Sequence, residues 1–337
     1  MMRLPSFDYV VPKSVDEAVR ALRDAGPGGM LVAGGTDLYP NMKRRQFEPK
    51  TLVGLRAIKD LRGVGGTARD GVTIGACTTL TAVATHPAIA RDYPALAMAA
   101  GVVSSPQLRN MGTLGGNVCV DTRCNYYNQT FEWRKAIGFC MKKDGDICLV
   151  APGSDRCWAV SSSDTAPVLW SLGARVRLHG PSGERTIPVA ALFQDDGIQY
   201  LAKRADEIVT EIALPPAEGW RSVYLKLRRR GSFDFPILGV AAAVRLEGEV
   251  VREARIVLGA VASTPREATK AADALVGRRL TTETIETAAE VAAGPAKPLD
   301  NTDLTHPYRK KVTRVYVARA LARIAGLDHG PATEAIA

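Results

Sequence analysis

At 337 residues, 46% of them hydrophobic and 23% charged, the chain has a globular composition and is too long for one ordinary core, so two or three domains are expected. No apolar run reaches the roughly 18 residues of a membrane span, and the N-terminal stretch lacks the basic-then-apolar layout of a secretory signal; the expected compartment is the cytoplasm, with no membrane partner. The net charge of +9 is dispersed and not interleaved with aromatic residues, which argues against a nucleic-acid partner, and six cysteines are too few for a disulfide scaffold.

A capping box opens the first helix. The Ser14 hydroxyl and the Glu17 carboxylate are spaced to satisfy free amides, and Val15, Ala18, Val19 and Leu22 follow at helical spacing. Gly26, Pro27, Gly28 and Gly29 end it, and Met30, Leu31 and Val32 form a short strand that turns at Gly34 and Gly35. Residues 52–55 and 72–76 read as strands. Residues 78–100 read as helix, broken at Pro87 and Pro94, and 168–178 as a helix end, a Gly173 stop and a strand. The strand 208–214 closes at Pro215 and Pro216, which with Gly219 mark the best domain boundary. Beyond it, 222–229, 237–246 and 254–261 read as strands, then 267–276, 282–293 and 308–324 as helices. Strands followed by helices predict an α+β C-terminal domain. Residues 330–337 are expected to fray.

Two glycine loops carry the first functional signal. One is Leu31, Val32, Ala33, Gly34, Gly35, Thr36, Asp37 and Leu38; the other is Thr113, Leu114, Gly115, Gly116 and Asn117. Glycine allows positive φ and close approach of backbone to a phosphate, and consecutive free amides make an anion-binding concavity. Neither loop has the G-x-G-x-x-G or G-x-x-x-x-G-K-[ST] spacing, which excludes the common nicotinamide and P-loop readings. A tight turn would account for either loop taken alone.

Cys124, Cys140, Cys148 and Cys157 fall within 34 residues. Their spacing is neither that of a zinc ribbon nor that of a ferredoxin run. Their concentration in a stretch with little apolar content leaves four readings open: unlinked thiols, structural zinc, two disulfides or an iron–sulfur cluster. Cys77, at the end of an apolar strand, reads as a packed thiol, and Cys119 is the one rival ligand. The four histidines are scattered, and no G-x-S-x-G elbow or H-E-x-x-H helix occurs.

Taken as an ordered set, these motifs resemble a known family. Residues 31–38 are similar to the first flavin-pyrophosphate loop of the FAD-binding subunits of the xanthine oxidase family of molybdenum hydroxylases. Arg109 and Asn110 with residues 113–117 resemble the second loop. Residues 161–172 resemble the family's SPxSD segment and its apolar helix. Lys226, Arg229 and Asp234 fall on a K…R…D run, and Tyr308 and Arg309 on the C-terminal helix. The likeness spans residue 7 to about 326. It implies an α+β fold: two α/β FAD-binding subdomains of PCMH type, residues 1–56 and 57–217, and a C-terminal domain, 218–337, of a small antiparallel sheet with helices. It also implies that both loops wrap the FAD pyrophosphate, that Asp164 serves the adenosine half or its loop, that Val209 touches the ring system and that Lys226 lies near the isoalloxazine.

The family's second loop runs almost directly into SPxSD. Here an insertion at about 122–160 intervenes and contains the four cysteines. With it the chain resembles the flavin (beta) subunit of 4-hydroxybenzoyl-CoA reductase, whose insertion holds a [4Fe–4S] cluster. That likeness implies Cys124, Cys140, Cys148 and Cys157 as ligands, and no catalytic residue on this chain. It implies electrons from ferredoxin, passed toward a [2Fe–2S] small subunit and a molybdopterin-binding large subunit in a dimer of heterotrimers, for reductive dehydroxylation to benzoyl-CoA. The alternatives are the FAD subunit of a xanthine or carbon monoxide dehydrogenase-like hydroxylase, and a zinc-stabilised scaffold without activity.

Overall fold

The computed structural model describes residues 3–327 and 333–335. The first subdomain is a three-stranded parallel sheet in the order Asp8–Val10, Thr51–Gly54, Gly29–Val32. The helix Val15–Ala25 covers it with Ala18, Val19 and Leu22, the positions its periodicity singled out. Ser14 Oγ accepts from the Glu17 amide at 3.2 Å, but the Glu17 carboxylate reaches one residue further back, to the Lys13 amide at 2.8 Å. Asp8–Val10 gives no sequence signal, because it is three residues long and exposed throughout.

The second subdomain is a five-stranded antiparallel sheet in the order Val64–Thr67, Gly71–Gly75, Ile208–Leu214, Arg175–Gly180, Gly183–Pro188. Three short helices, Leu80–Thr85, Pro87–Asp92 and Pro94–Gly101, pack against it. Pro87 and Pro94 each begin a new helix, where the missing N–H has no partner to lose. The helix Thr165–Ser171 is buried on almost every side, which is why it shows no amphipathic period.

The third unit has four antiparallel strands, Trp220–Arg228, Leu238–Glu247, Val250–Gly259 and Arg266–Glu267, with Thr333–Ala335 added in parallel beside the first. The fraying expected for 330–337 therefore does not extend to 333–335, and the rest of that stretch lies outside the described residues. The helices Thr269–Asp273, Thr282–Ala292 and His306–Ile324 cover one face, packing on Leu225, Val240, Ala242 and Val244. The opposite face sends Tyr224, Ala241 and Ala243 into the core of the second subdomain. Side chains alternate across a strand, so a sheet covered on both faces reads as a continuous apolar run, as Leu238–Val244 does. Among the described residues no helix is long and apolar enough to cross a membrane.

One buried carboxylate ties the second sheet to the segment that follows it. Glu207 receives Arg185 in a two-pronged grip at 2.7 and 2.8 Å and the Arg204 amide at 2.6 Å. The Arg185 hydrogen bonds, then the Arg204 amide, lower its pKa from 4.5 to about 2. A depressed carboxylate pKa contributes stability that is present above the unfolded value and lost as pH falls through the folded one. Acid unfolding is therefore expected to steepen between pH 4.5 and about 2, and Glu207→Gln should flatten that part of a urea-midpoint-against-pH curve.

Candidate functional site

The two glycine loops meet. A Cβ on Gly34 would run into the Met111 carbonyl, and one on Gly115 would stand 2.7 Å from the Ala76 Cβ. Gly35 has φ +72°, with the Tyr39 ring where a side chain would go. Between the subdomains lies a cleft of about 440 Å³, within the range of small-molecule sites. Residues Leu31, Val32, Ala33, Gly34, Gly35, Thr36, Asp37 and Leu38 all line it, as do Thr113, Gly115, Gly116, Asn117 and Val209.

The loops differ in what they offer. Among the described hydrogen bonds none is donated by the Gly34, Gly35 or Thr36 amides, so these three stand ready for an anion. Four of the second loop's amides are already engaged. Leu114 N–H binds the Thr78 carbonyl, Gly115 N–H the Ala76 carbonyl, Gly116 N–H the Thr113 hydroxyl and Asn117 N–H the Thr113 carbonyl. Among the described hydrogen bonds, the first loop leaves the Gly34, Gly35 and Thr36 amides undonated and the second only that of Thr113. The second supplies a bare backbone for close approach, and Leu114 turns away into the core. Asn117 Oδ1 accepts from Ser163 Oγ at 2.9 Å and Thr165 Oγ1 at 2.7 Å, fastening the second loop to residues 163–165.

Asp164 and Lys226 are not on the cleft wall. They bind each other at 2.9 Å, fully buried, with Tyr224 donating to Asp164 at 2.8 Å. Burial pushes the Asp164 carboxyl up and the Lys226 ammonium down, and each partner opposes the other's shift. Lys226 and Arg228 both donate to the Val102 carbonyl at 3.2 Å, and Val103 and Ser104, the next two residues, do line the cleft. The pair therefore braces the wall from behind. Residues the sequence did not single out also line it: Ser104, Asp121, Tyr200, Lys203 and Phe235. Each is an isolated polar or aromatic residue in a loop, with no motif to mark it.

The four cysteines of the insertion are buried, unpaired and arranged around a single small pocket with Tyr127, Lys142 and Ala159. Cys119 lines the flavin-side cleft instead, and Cys77 packs in the core with its thiol pushed up to about 11 by burial. The insertion is better packed than its composition implies. Its neck is closed by paired backbone bonds between Arg123 and Val160 at 2.8 and 2.7 Å. Buried Arg134 donates to the Arg44 and Arg45 carbonyls, Gln46 donates to the Tyr127 carbonyl, and the Asn125 amide reaches the Asn301 carbonyl. All three domains thus hold it. Burial first, then the neighbouring cysteines, raise Cys124 to about 12; burial raises Cys157 to about 11. Burial thus favours the neutral form of Cys124 and Cys157, and a bound cation would favour their thiolates.

The flavin-binding half is decided by comparison. Residues 5–217 match the family model of the FAD binding domain in molybdopterin dehydrogenase, and 222–324 that of the CO dehydrogenase flavoprotein C-terminal domain. The chain belongs to the FAD-binding medium subunits of the molybdenum hydroxylase family. It is 31% identical over 322 residues to the carbon monoxide dehydrogenase medium chain of Hydrogenophaga pseudoflava, covering 94% of this chain and 96% of that one. It is 25% identical to the glyceraldehyde dehydrogenase medium chain of Sulfolobus acidocaldarius, covering 95% and 99%. The solved structure of carbon monoxide dehydrogenase from H. pseudoflava superposes with a TM-score of 0.80 at 30% identity, over 97% of this chain and 99% of that one. The expected fold class, two FAD-binding subdomains and an antiparallel C-terminal domain, is the one this family has.

Two outcomes test this geometry. A Cβ on Gly116 would meet only the Thr113 hydroxyl, so Gly116→Val should fold with an unchanged circular dichroism spectrum yet lose most of its FAD absorbance. Lys226→Met leaves Asp164 buried without its counter-charge and should lower unfolding free energy by about 3–5 kcal/mol in urea.

Proposed function

We propose that this chain is an electron-transfer subunit that carries FAD in the cleft and an iron–sulfur cluster in the cysteine pocket, within a complex of the 4-hydroxybenzoyl-CoA reductase kind. The convergence of Cys124, Cys140, Cys148 and Cys157 on one enclosed pocket carries the reading. Among the described residues no three metal-binding side chains are placed for a single metal ion. A [4Fe–4S] cluster is held by four cysteine thiolates, the number of cysteines that line this pocket. The site chemistry fits it: four thiols, no competing ligand, and an apolar shell of Tyr127, Leu149 and Ala159.

When bound, FAD exchanges one or two electrons and an iron–sulfur cluster one, so the two together join carriers of different electron number. This chain's residues supply position. Gly34, Gly35 and Thr36 present amides to the pyrophosphate, Thr113 and Gly116 give the close approach, and Val209 and Phe235 are apolar walls for the ring system. The Asp164–Lys226 pair holds residues 102–104 against the cleft. Partners are those of the family reading: a molybdopterin-binding large subunit, a [2Fe–2S] small subunit and a ferredoxin donor, with substrate reduced on a subunit other than this one.

The rival is a flavin subunit of a carbon monoxide or xanthine dehydrogenase-like hydroxylase, favoured by the names of the relatives and by the superposition on carbon monoxide dehydrogenase. Iron analysis and substrate assay separate the two. The native complex should contain three subunit types and reduce 4-hydroxybenzoyl-CoA with a one-electron donor. Cys148→Ser should lose about four irons per chain while keeping its flavin spectrum, and Cys77→Ser should keep its iron. Zinc in the wild type, or iron unchanged in Cys148→Ser, would rule the cluster out; oxidation of carbon monoxide or xanthine would favour the rival.

A further inference from the structure

Lys142 is neither a cysteine ligand nor part of a glycine loop, yet it stands where the two sites meet. Its side chain is 5% exposed and lines the cysteine pocket. Its ammonium donates to Asp121 Oδ1 at 2.7 Å, to Thr122 Oγ1 at 2.6 Å and to the Gly197 carbonyl at 2.6 Å. It also lies over the Tyr127 ring, 4.7 Å from its centroid. Its counter-ion Asp121 is 7% exposed and lines the flavin cleft. On the other side, the Gly197 amide donates to the Cys157 carbonyl at 2.9 Å, and a Cβ on Gly197 would stand 2.6 Å from Cys157 Sγ. A bonded path thus runs from Cys157 through Gly197, Lys142 and Asp121 to the cleft.

Sequestering two charges from water is costly, and a buried ion pair is seldom the cheapest way to hold a wall together. This one is oriented. Its positive end faces the cysteines and its negative end faces the flavin cleft. Buried as it is, the pair is screened less by salt and water than a surface pair would be, so each charge acts most strongly on the site nearest it. Potentials of iron–sulfur centres respond to nearby charge and hydrogen bonding. We propose that the Lys142–Asp121 pair sets the difference in reduction potential between the group in the cysteine pocket and the flavin, raising the first and lowering the second. The inference rests on the reading of the cysteine pocket as an iron–sulfur site. Lys142 is then a positioning residue whose charge acts through space.

The test is a dithionite titration of the purified complex, followed by electron paramagnetic resonance for the cluster and by absorbance for the flavin. The cluster signal is identified as the one absent in Cys148→Ser. Lys142→Met should retain iron and FAD and lower the equilibrium constant for one-electron reduction of that cluster at least tenfold, a fall of about 59 mV in midpoint. Asp121→Asn should move it the opposite way and raise the flavin midpoint as well. Lys143→Met, which removes a partly exposed neighbouring charge paired with Asp144 at 3.1 Å, should move it much less. A merely structural role predicts no shift, or shifts of one sign in both variants, and either result overturns the proposal. Should Lys142→Met lose its iron, Asp121→Asn decides alone: a rise supports the proposal, and an unchanged or lower midpoint overturns it. A wild type with no cysteine-dependent signal removes the iron–sulfur reading itself, and this inference with it.

Discussion

The contact of Gly34 with the Met111 carbonyl is the constraint from which the cleft follows. It sets the backbone of one subdomain directly against the backbone of the other, with no side chain between. Gly115 against Ala76 does the same within the second subdomain, drawing the second loop onto the strand end that precedes it. Two sheets that pack through side chains lie about 10 Å apart; two loops that pack through glycine leave a narrow slot. A dinucleotide needs such a slot, because its pyrophosphate must reach backbone amides while its rings lie along apolar walls.

The glycines therefore do two kinds of work. Gly34 lets the subdomains meet and Gly115 seats the second loop on Ala76, and both requirements are internal to the protein. Gly116, where a side chain would meet only a hydroxyl, is left open toward the cleft. The same division runs through the polar residues. Asn117 lines the cleft, yet its carbonyl oxygen is fully engaged in holding Ser163 and Thr165. Asp164 and Lys226 sit one layer further out and shape the wall by holding the Val102 carbonyl.

The insertion enters this frame as a fourth packed piece. Its own core is a small cluster around Cys124, Tyr127, Cys140, Cys157 and Ala159, and it adds anchorage from the rest of the chain. Arg134 reaches the helix end at Arg44 and Arg45, Lys142 reaches Gly197, and Ser161 and Asn125 reach the C-terminal domain. Each anchor is a hydrogen bond from the insertion to a main-chain carbonyl elsewhere. Such bonds, with the small cluster around Tyr127 and Ala159, hold four cysteines around one pocket.

Local pattern was enough for the elements whose signals are local. The Ser14 cap with its following apolar period, the Gly173 stop and the strand 208–214 appear where the sequence places them, because caps, turns and periodicity act within a few residues. The glycine loops and the cysteine cluster were legible for the same reason. What lies between distant segments was not. Nothing in the order of residues shows that the Leu114 and Gly115 amides are already satisfied by Thr78 and Ala76, that Asp164 pairs with buried Lys226, or that Lys142 bridges Asp121 and Gly197. Those pairings join residues that sequence keeps far apart. Burial decides them, because a charged or hydrogen-bonding group removed from water must find its partner wherever the packed chain has brought one.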